Sequence, residues 1–422
     1  MISAAETAMV VLATLFFCVS MTIPADTMRG FDKLFDLMML LCIIYGAALS
    51  IIKHREADKS IVLLTVLYFI ARLISYRLND LPVTYGGTIM LQMFYLIGIN
   101  KFLFGGRKRV LTALYTFIAF DIAAILICYF NLWFRRGYVD RLLEEYAGKG
   151  MIVQTSLFQN PNYAGMMAGA AIVICCALVM NEGLKKKTIL MAAPVILLNL
   201  LMLFIHTGCR SAQTGLVIVA LVYAFVRLFR RADSVKHIVG AVLLVCFLAL
   251  IPLTFLVHWK NNNQNIADVS QLEWDLEAIS SERYAIWKTT ILSMEGHELF
   301  GFGNISTAWD KRKEVIENSP PEWTSEVYYH SAVHKRQHNG YLAVVNEAGI
   351  VGAVLLLLLL LSRIRKLKGS FRDGQWEKLL LIYIFWINLF EAKFVLHIFF
   401  TGYLMMILLL PPDEEETKKE TS

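Results

Sequence analysis

Residues 188–209, TILMAAPVILLNLLMLFIHTGC, form a run of 22 residues without a charged side chain. A second uncharged run covers residues 150–181. About 20 predominantly apolar residues are enough for one α-helix to cross a bilayer. Because the hydrocarbon core offers no water to an open backbone, runs of this length predict membrane-spanning helices.

The whole chain has the same apolar character. Of its 422 residues, 57% are hydrophobic and 18% are charged, and the mean hydropathy is +0.56. Soluble domains contain roughly 45–50% apolar and about 25% charged residues. The composition therefore excludes an ordinary soluble enzyme, a nucleic-acid-binding module and a disordered protein. We predict no nucleic-acid partner, because in a membrane protein Lys and Arg gather in cytoplasmic loops and the net charge of +6 needs no other cause.

The apolar runs predict an all-α integral membrane protein with about 12 transmembrane helices. We place the spans at residues 7–24, 36–52, 60–76, 87–104, 110–132, 160–181, 188–206, 212–229, 237–257, 339–362, 379–391 and 394–410. Residues 1–257 then hold spans one to nine, and residues 339–410 hold spans ten to twelve. Between them lies one large, partly helical extracytoplasmic loop, 258–338, and residues 411–422 form a cytoplasmic tail.

The distribution of basic residues predicts the orientation in the membrane. One set of alternate loops holds twenty Lys and Arg residues, and the short loops of the opposite set hold five. The positive-inside rule places both termini in the cytoplasm, with Arg210 and the segment 258–338 on the other side. That segment carries five tryptophans, which predicts a small folded cap.

The first candidate for chemistry joins two spans and reads His206-Thr-Gly-Cys-Arg-Ser-Ala-Gln213. Arg210 has no acid nearby in the sequence, and a charge at membrane depth is a functional hypothesis by default. With Ser211 capping the following helix, the helix start beside Arg210 is a natural site for phosphate oxygens. The alternative is an interfacial Arg that snorkels to lipid headgroups, and the residues leave both possibilities open.

The second candidate, Ser280-Ser-Glu-Arg-Tyr-Ala-Ile-Trp287, is expected to open a helix inside the long loop. Ser280 is the expected N-cap and Gly296 the expected stop. Arg283 and Trp287 are four residues apart and therefore share one helix face. We predict that this helix directs Arg283 toward the membrane domain. A solvated Arg on an amphipathic helix is the alternative.

The third candidate is His338-Asn339 at the start of the tenth span. If that helix includes His338, then Gly349 and Gly352 lie on the same stripe, where they allow another helix to approach closely. An imidazole held there could act as a general base on a hydroxyl group. The alternative is a His that only anchors the helix end.

Two further motifs are weaker. Gly301-Phe-Gly303 permits a tight turn or a close backbone approach. Asn160-Pro-Asn162 begins another span, and Asn162 could offer a hydrogen bond to a sugar or a phosphate, although the residues alone favour simple capping.

We predict no metal site and no cofactor. His330, His334 and His338 are spaced by four, but no carboxylate or Cys completes a ligand set. The chain has no P-loop and no GxGxxG motif, which disfavours nucleotide-driven transport.

Together, these motifs resemble the O-antigen ligase and Wzy-type polysaccharide polymerase superfamily. The similarity is carried, in order, by Asn160-Pro-Asn162, Cys209-Arg-Ser-Ala212, Arg283-Tyr-Ala-Ile-Trp287, Phe300-Gly-Phe-Gly303 and His338-Asn339 with Gly349 and Gly352. It covers mainly residues 155–360, and the first 150 residues match only as apolar spans.

The resemblance implies a metal-independent glycosyltransferase of the bacterial cytoplasmic (inner) membrane. Its donor would be a glycan on undecaprenyl pyrophosphate and its acceptor a hydroxyl group, with chain-length regulator and flippase proteins as further partners. Carried over to this sequence, Arg210 and Arg283 would bind the pyrophosphate, and His338 would deprotonate the acceptor. Substrate-binding roles are also expected for Asn162, Ser211, Trp287 and Asn339, and structural roles for Gly301, Gly303, Gly349 and Gly352.

The motifs do not separate a polymerase of repeat units from a ligase that moves a finished glycan to another acceptor. We favour the polymerase because the superfamily contains many of them. A secondary transporter or flippase would need a polar path through the membrane centre and usually repeated halves, and neither is visible in the sequence. A structure that keeps Arg210, Arg283 and His338 apart would favour a transporter or a non-catalytic scaffold.

Overall fold

The computed structural model describes residues 4–20, 37, 40–48, 58–81, 90, 92–94, 106–130, 157–158, 161–229, 234–263, 267–280, 283–319, 332–333, 337–391 and 400–409. Within these ranges the chain is helical and contains no β-strand; its β-type pairing there is one isolated bridge between Ser234 and Ser370.

Fourteen α-helices are bounded within the described ranges. They are α1 (Ala4–Ser20), α2 (Lys59–Leu78), α3 (Arg107–Phe130), α4 (Pro161–Asn181), α5 (Lys186–Leu201), α6 (Arg210–Leu228), α7 (Val235–Leu248), α8 (Leu250–Asn262), α9 (Ala267–Ser280), α10 (Tyr284–Ser293), α11 (Trp309–Glu317), α12 (Gly340–Arg365), α13 (Leu379–Ile387) and α14 (Phe400–Leu408).

Seven helical stretches of the described chain are long and apolar enough to cross a membrane. They are α2, residues 107–127 of α3, α4, α5 with the turn that follows it, α6, α7 joined to α8, and α12. These correspond to seven of the predicted spans and make the chain a multi-pass membrane protein. The total of about 12 stays a prediction, because the remaining predicted spans fall on shorter helices or outside the described residues.

The buried core lies around α4 and α13. Helix α4 is rich in Gly and Ala, so its neighbours approach closely, and 72% of its span is buried. Helix α13 packs against α4, α6 and α7, and α12 packs along α2. A Cβ added to Gly169 or Gly215 would lie 2.1 Å or 2.9 Å from Tyr383. The Tyr383 ring therefore fills space that these two glycines leave open, and its hydroxyl donates to the Met166 carbonyl at 2.9 Å.

Helix α12 is interrupted at Gly349. The backbone of this residue (φ 65°, ψ −170°) lies in a region that is open in practice only to glycine. Residues 298–303, called the clasp below, lie against the break: a Cβ on Gly349 would be 2.2 Å from the Leu299 carbonyl. The sequence had predicted that Gly349 receives another helix. The close neighbour is instead this irregular segment.

Backbone hydrogen bonds join the clasp to both sides of the break. The bonds run from Ile350 N to Glu298 O (2.8 Å), Val351 N to Leu299 O (3.2 Å), Phe302 N to Asn346 O (2.8 Å) and Gly303 N to Glu347 O (2.9 Å). Ser75 of α2 adds a hydroxyl bond to Glu347 O at 2.8 Å. Polar backbone groups freed at a helix break within a span must find partners inside the protein, and the clasp supplies most of them.

The turn between α5 and α6 is also irregular. Residues Met202–Thr207 form a π-helical turn, and Gly208 (φ 56°) ends it. The Leu203 carbonyl accepts the Thr207 hydroxyl at 3.1 Å and the Gln213 amide at 3.4 Å. The Gln213 side chain of α6 thus holds the π-helical turn that directly precedes Arg210, the first residue of α6.

Two charged side chains inside the described spans, Arg72 and Asp121, have polar partners within the protein. Arg72 donates to Gln92 at 3.0 Å and lies 3.6 Å from the Glu347 carboxylate. Asn199 donates to Asp121 at 2.9 Å. These pairs give Arg72 and Asp121 partners that sequence patterns alone did not provide.

Residues 263–337, called the cap below, include α9 to α11 and have a hydrophobic cluster of their own. The cluster consists of Val257, Tyr284, Ala285, Ile291, Ile316, Ala332, Val333 and Leu342. Because Val257 belongs to α8 and Leu342 to α12, the cluster ties the cap to the ends of two spans.

We expect Gly349→Ala to destabilise the protein by about 3 kcal/mol or more, because the added methyl group meets a carbonyl and the backbone conformation strongly disfavours other residues. Gly240→Ala in α7 is the matched control, since its Cβ would lie 3.6 Å from Ile364, an ordinary contact. Melting temperatures in detergent test this expectation. Equal melting temperatures for the two variants would contradict it.

Candidate active site

A carboxylate just after α13 joins two of the predicted site residues. Glu391 Oε1 lies 2.7 Å from an Arg283 guanidinium nitrogen, and Glu391 Oε2 lies 3.3 Å from His338 Nδ1. The Glu391 side chain is only 3% exposed, whereas Arg283 is 15% and His338 33% exposed. A buried carboxylate therefore bridges an Arg from the cap and a His from the start of α12.

Arg283 stands at the N-terminal end of α10. The Ser280 hydroxyl accepts the backbone N–H groups of Arg283 (3.3 Å) and Tyr284 (2.9 Å), and Glu277 Oε2 accepts that of Ala285 at 2.8 Å. Ser280 therefore supplies the expected capping bonds, although it is itself the last residue of α9 and Arg283 occupies the N-cap position. These bonds fix the backbone from which Arg283 reaches Glu391.

His338 lies outside α12, contrary to the continuous stripe considered from the sequence. Its backbone is left-handed (φ 47°), and the helix begins at Gly340 with Asn339 as N-cap. The Gly340 N–H donates to the Asn388 carbonyl at 2.7 Å. The difference arises because the chain turns sharply before α12 and ties its first N–H groups to α13 and to the Asn339 side chain.

Two predicted substrate-binding residues, Asn339 and Trp287, make hydrogen bonds that stabilise the backbone. The Asn339 side-chain oxygen accepts the Leu342 N–H at 2.9 Å, and the side chain is buried. The Trp287 indole N–H donates to the Gln337 carbonyl at 2.9 Å. Both residues therefore lie next to His338 and hold the backbone around it.

The junction before α6 lies at the same end of the helical bundle. Burial raises the pKa of the Cys209 thiol, the charge of Glu391 raises it further, and the charge of Arg283 lowers it. Helix α6 packs against α13, and a Cβ added to Gly215 of α6 would lie 3.4 Å from Ile387, the last residue of α13. This contact places the first turns of α6, which begin at Arg210, beside the end of α13 that leads to Glu391. Arg210 is the first residue of α6.

The expected Ser211 cap is absent. Helix α6 begins two residues earlier, so Cys209 takes the N-cap position and makes no side-chain capping bond. The Ser211 hydroxyl lies 3.3 Å from Cys209 Sγ instead. Asn162, in the first turn of α4, lies on the other side of Cys209, whose thiol is 3.6 Å from the Asn162 carbonyl. The structure thus brings Arg210, Ser211 and Asn162 together around Cys209.

Sequence reasoning missed Glu391. An acid at the end of an apolar run is most simply explained as one half of a structural pair with a neighbouring base such as Lys393, which lies outside the described residues. The sequence contains one usable signal, namely a carboxylate within a turn of a predicted span end and on the same side as Arg210, Arg283 and His338. Its partners are distant in the chain, so only the fold could identify them.

No group of three or more His, Cys, Asp or Glu side chains suited to a metal ion occurs in the part of the chain that the structure describes. His330 and His334 lie outside that part.

Part of the chain also matches a known protein family. Residues 194–357 match the family model described as O-Antigen ligase. The match confirms the resemblance inferred from the motifs and supports a membrane glycan-processing function of the O-antigen ligase or polymerase type. Arg210, Arg283 and His338 lie within the matched region; Glu391 and Asn162 lie outside it. No curated protein matches the chain.

The Arg283–Glu391 pair should be coupled in stability. Removing one partner of a buried ion pair costs about 3–5 kcal/mol, because the other charge stays buried. We therefore expect Arg283→Gln and Glu391→Gln each to lower the melting temperature, and the double variant to lower it by less than the sum of the two.

The exposed pair Lys311–Glu314, at 3.3 Å, is the control for this cycle. Alanine replacements there should be additive, because exposed pairs contribute little. Additive losses at Arg283 and Glu391 would show that the two groups do not interact.

Proposed function

We propose that the protein polymerises oligosaccharide repeat units carried on undecaprenyl pyrophosphate into a cell-surface polysaccharide. The transfer is inverting and metal-independent, and it takes place on the outer face of the bacterial cytoplasmic membrane. The observation that carries the proposal is the Glu391 carboxylate, which holds a cation, Arg283, and a potential base, His338, at the end of α13 that packs beside the start of α6, where Arg210 lies.

The asymmetry of basic residues supports this orientation. Twenty Lys and Arg residues lie in one set of alternate loops, which places both termini in the cytoplasm. Arg210, Arg283 and His338 then lie on the opposite side, where a lipid-linked glycan is presented after it has crossed the membrane.

The two arginines provide the charge that a pyrophosphate leaving group needs. A guanidinium carries several N–H groups in a planar fork that matches phosphate oxygens. Arg283 uses one terminal nitrogen for Glu391, so the other N–H groups of its fork are available for the donor. Arg210 supplies a second fork at the start of α6. Together they stabilise the negative charge that develops as the glycosidic bond breaks.

Glu391 determines which ring nitrogen of the neutral His338 side chain carries the proton. An ionised carboxylate only accepts hydrogen bonds, so Nδ1 of His338 carries the proton that faces Glu391. The lone pair on Nε2 is then free to accept a proton from a sugar hydroxyl. The same carboxylate stabilises the imidazolium that forms.

The reaction follows from these placements. The acceptor oxygen forms a bond to the anomeric carbon and gives its proton to His338 Nε2. The bond from that carbon to the pyrophosphate oxygen breaks, and its electron pair leaves with the pyrophosphate. Attack from the face opposite the leaving group inverts the anomeric centre.

A ligase is the second candidate, because the matched family model is described as O-Antigen ligase. It would use the same site chemistry and transfer a finished glycan to another acceptor. Chain-length regulator and flippase proteins fit as partners of either activity. The proximity of Arg283 and His338 argues against a secondary transporter or a scaffold, neither of which requires an Arg and a His on one carboxylate.

Lipid-linked glycans from a strain that lacks the protein separate the two activities. Sized by mass spectrometry, single repeat units on undecaprenyl pyrophosphate are the expected result for a polymerase. Long glycans on that lipid, with none on the final acceptor, would identify a ligase and overturn the polymerase assignment. Unchanged lipid-linked glycans would reject both.

His338→Ala should lower turnover of reconstituted protein by about 10²–10⁴-fold, the usual contribution of a general base. The matched control is His258→Ala, because His258 is exposed on α8 and has no role in the proposed site. Turnover at the wild-type rate in His338→Ala would remove the base assignment.

Arg210→Lys and Arg283→Lys should each reduce kcat/KM by about 10²-fold, because Lys keeps the charge and loses the planar fork. Arg227→Lys, at the opposite end of α6, is the control and should stay close to wild type. Rates measured with and without EDTA should agree for the wild type. Dependence on a divalent cation would contradict the metal-independent mechanism. Full activity of both site variants would place the pyrophosphate elsewhere.

A further inference from the structure

The backbone at His338 is strained and needs support. A left-handed conformation is disfavoured for residues other than glycine, although His tolerates it better than most. Such conformations persist only where the surroundings fix them. The φ of 47° at His338 therefore requires contacts that hold the residues on either side of it.

On the C-terminal side, the support comes from the membrane domain. The Gly340 N–H is bonded to the Asn388 carbonyl at 2.7 Å, and the Asn339 side chain caps α12. These bonds tie the residues after His338 to the start of α12 and to the end of α13, just before Glu391.

On the N-terminal side, the support comes from the cap. The Trp287 indole N–H donates to the carbonyl of Gln337, whose side chain is also buried. A carbonyl fixed at position 337 fixes the peptide plane that leads into His338. Trp287 is therefore the cap residue that sets the direction in which the His338 side chain leaves the backbone.

Helix α10 carries this support and Arg283 together. Arg283 stands at its N-cap, and Trp287 follows one turn later on the same face. The helix is anchored by Glu277 at its start and by the Thr289 hydroxyl, which donates to the Ala332 carbonyl at 3.1 Å. One rigid element thus places both the cation and the backbone of the base against Glu391.

We propose that Trp287 is a positioning residue for the general base: its indole N–H, through the Gln337 carbonyl, aligns His338 with Glu391 and with the acceptor hydroxyl. The inference rests on the proposed function and differs from the role expected from the sequence, in which Trp287 binds substrate. A sugar platform needs the indole face, whereas positioning needs the N–H group.

Trp287→Phe separates the two roles, because phenylalanine keeps an aromatic face and loses the donor. We expect kcat to fall by roughly 10–100-fold with KM nearly unchanged, since a small misplacement of a reacting group can cost about 10²-fold in rate. A raised KM with wild-type kcat would show that Trp287 acts as a sugar platform and would overturn the proposal.

Two further variants guard against a merely structural effect. Trp386→Phe removes an indole bond of the same length, 2.9 Å, to Thr214 between α13 and α6, and should leave kcat close to wild type. Replacement of Trp287 by 3-benzothienylalanine, introduced by amber suppression, exchanges the N–H for sulfur at nearly constant shape. It should lower kcat as Trp287→Phe does, even if the phenylalanine variant folds poorly. Wild-type kcat in this variant would overturn the proposal.

A cycle with His338→Ala tests whether Trp287 acts through the base. In that background Trp287→Phe should change the residual rate by less than about twofold, because residues acting as one unit are not additive. A full additional loss would show that Trp287 acts independently of His338. If the wild type itself transfers no glycan from the lipid-linked donor, the proposed function fails and this inference falls with it. If the wild type transfers and Trp287→Phe matches it, only the inference fails.

Discussion

Within a bilayer, every backbone N–H and C=O must find a partner inside the protein, and the irregular parts of this fold are arranged around that constraint. The break at Gly349 exposes polar groups in the middle of a long apolar helix, and the clasp supplies hydrogen bonds on both sides of it. In the π-helical turn after α5, the side chains of Thr207 and Gln213 likewise donate hydrogen bonds to a backbone carbonyl, that of Leu203. The π-helical turn directly precedes the start of α6, so the requirement to satisfy the backbone there also positions Arg210.

The second organising feature is the shared carboxylate of Glu391. A single buried anion between a guanidinium and an imidazole unites three segments that are distant in sequence: α10 of the cap, the start of α12 and the end of α13. A charge this buried is stable only with both partners in place. The cap is therefore joined to the membrane helices at Glu391, and a hydrophobic cluster shared with the ends of two spans provides a second contact.

Sequence patterns predicted seven of the apolar spans and singled out Arg210, Arg283 and His338 as candidates, because uncharged runs and isolated charges at span ends are local signals. They did not predict Glu391, whose meaning depends on partners 108 and 53 residues away. The left-handed His338 and the break at Gly349 were missed because both oppose the local helical pattern and depend on tertiary hydrogen bonds. The N-cap of α6 was predicted at Ser211, two positions after the observed N-cap at Cys209, and an error of this size is typical of helix ends.

Tyr383 has a consequence for how this sequence can vary. Its ring occupies the space beside Gly169 and Gly215, on two helices that pack against its own. A larger residue at either glycine has no room unless the tyrosine becomes smaller, and a smaller residue at 383 leaves a void that only a larger neighbour could fill. The side chains at the three positions therefore share one volume between three helices. A change in side-chain size at any one of them requires a compensating change in size at another.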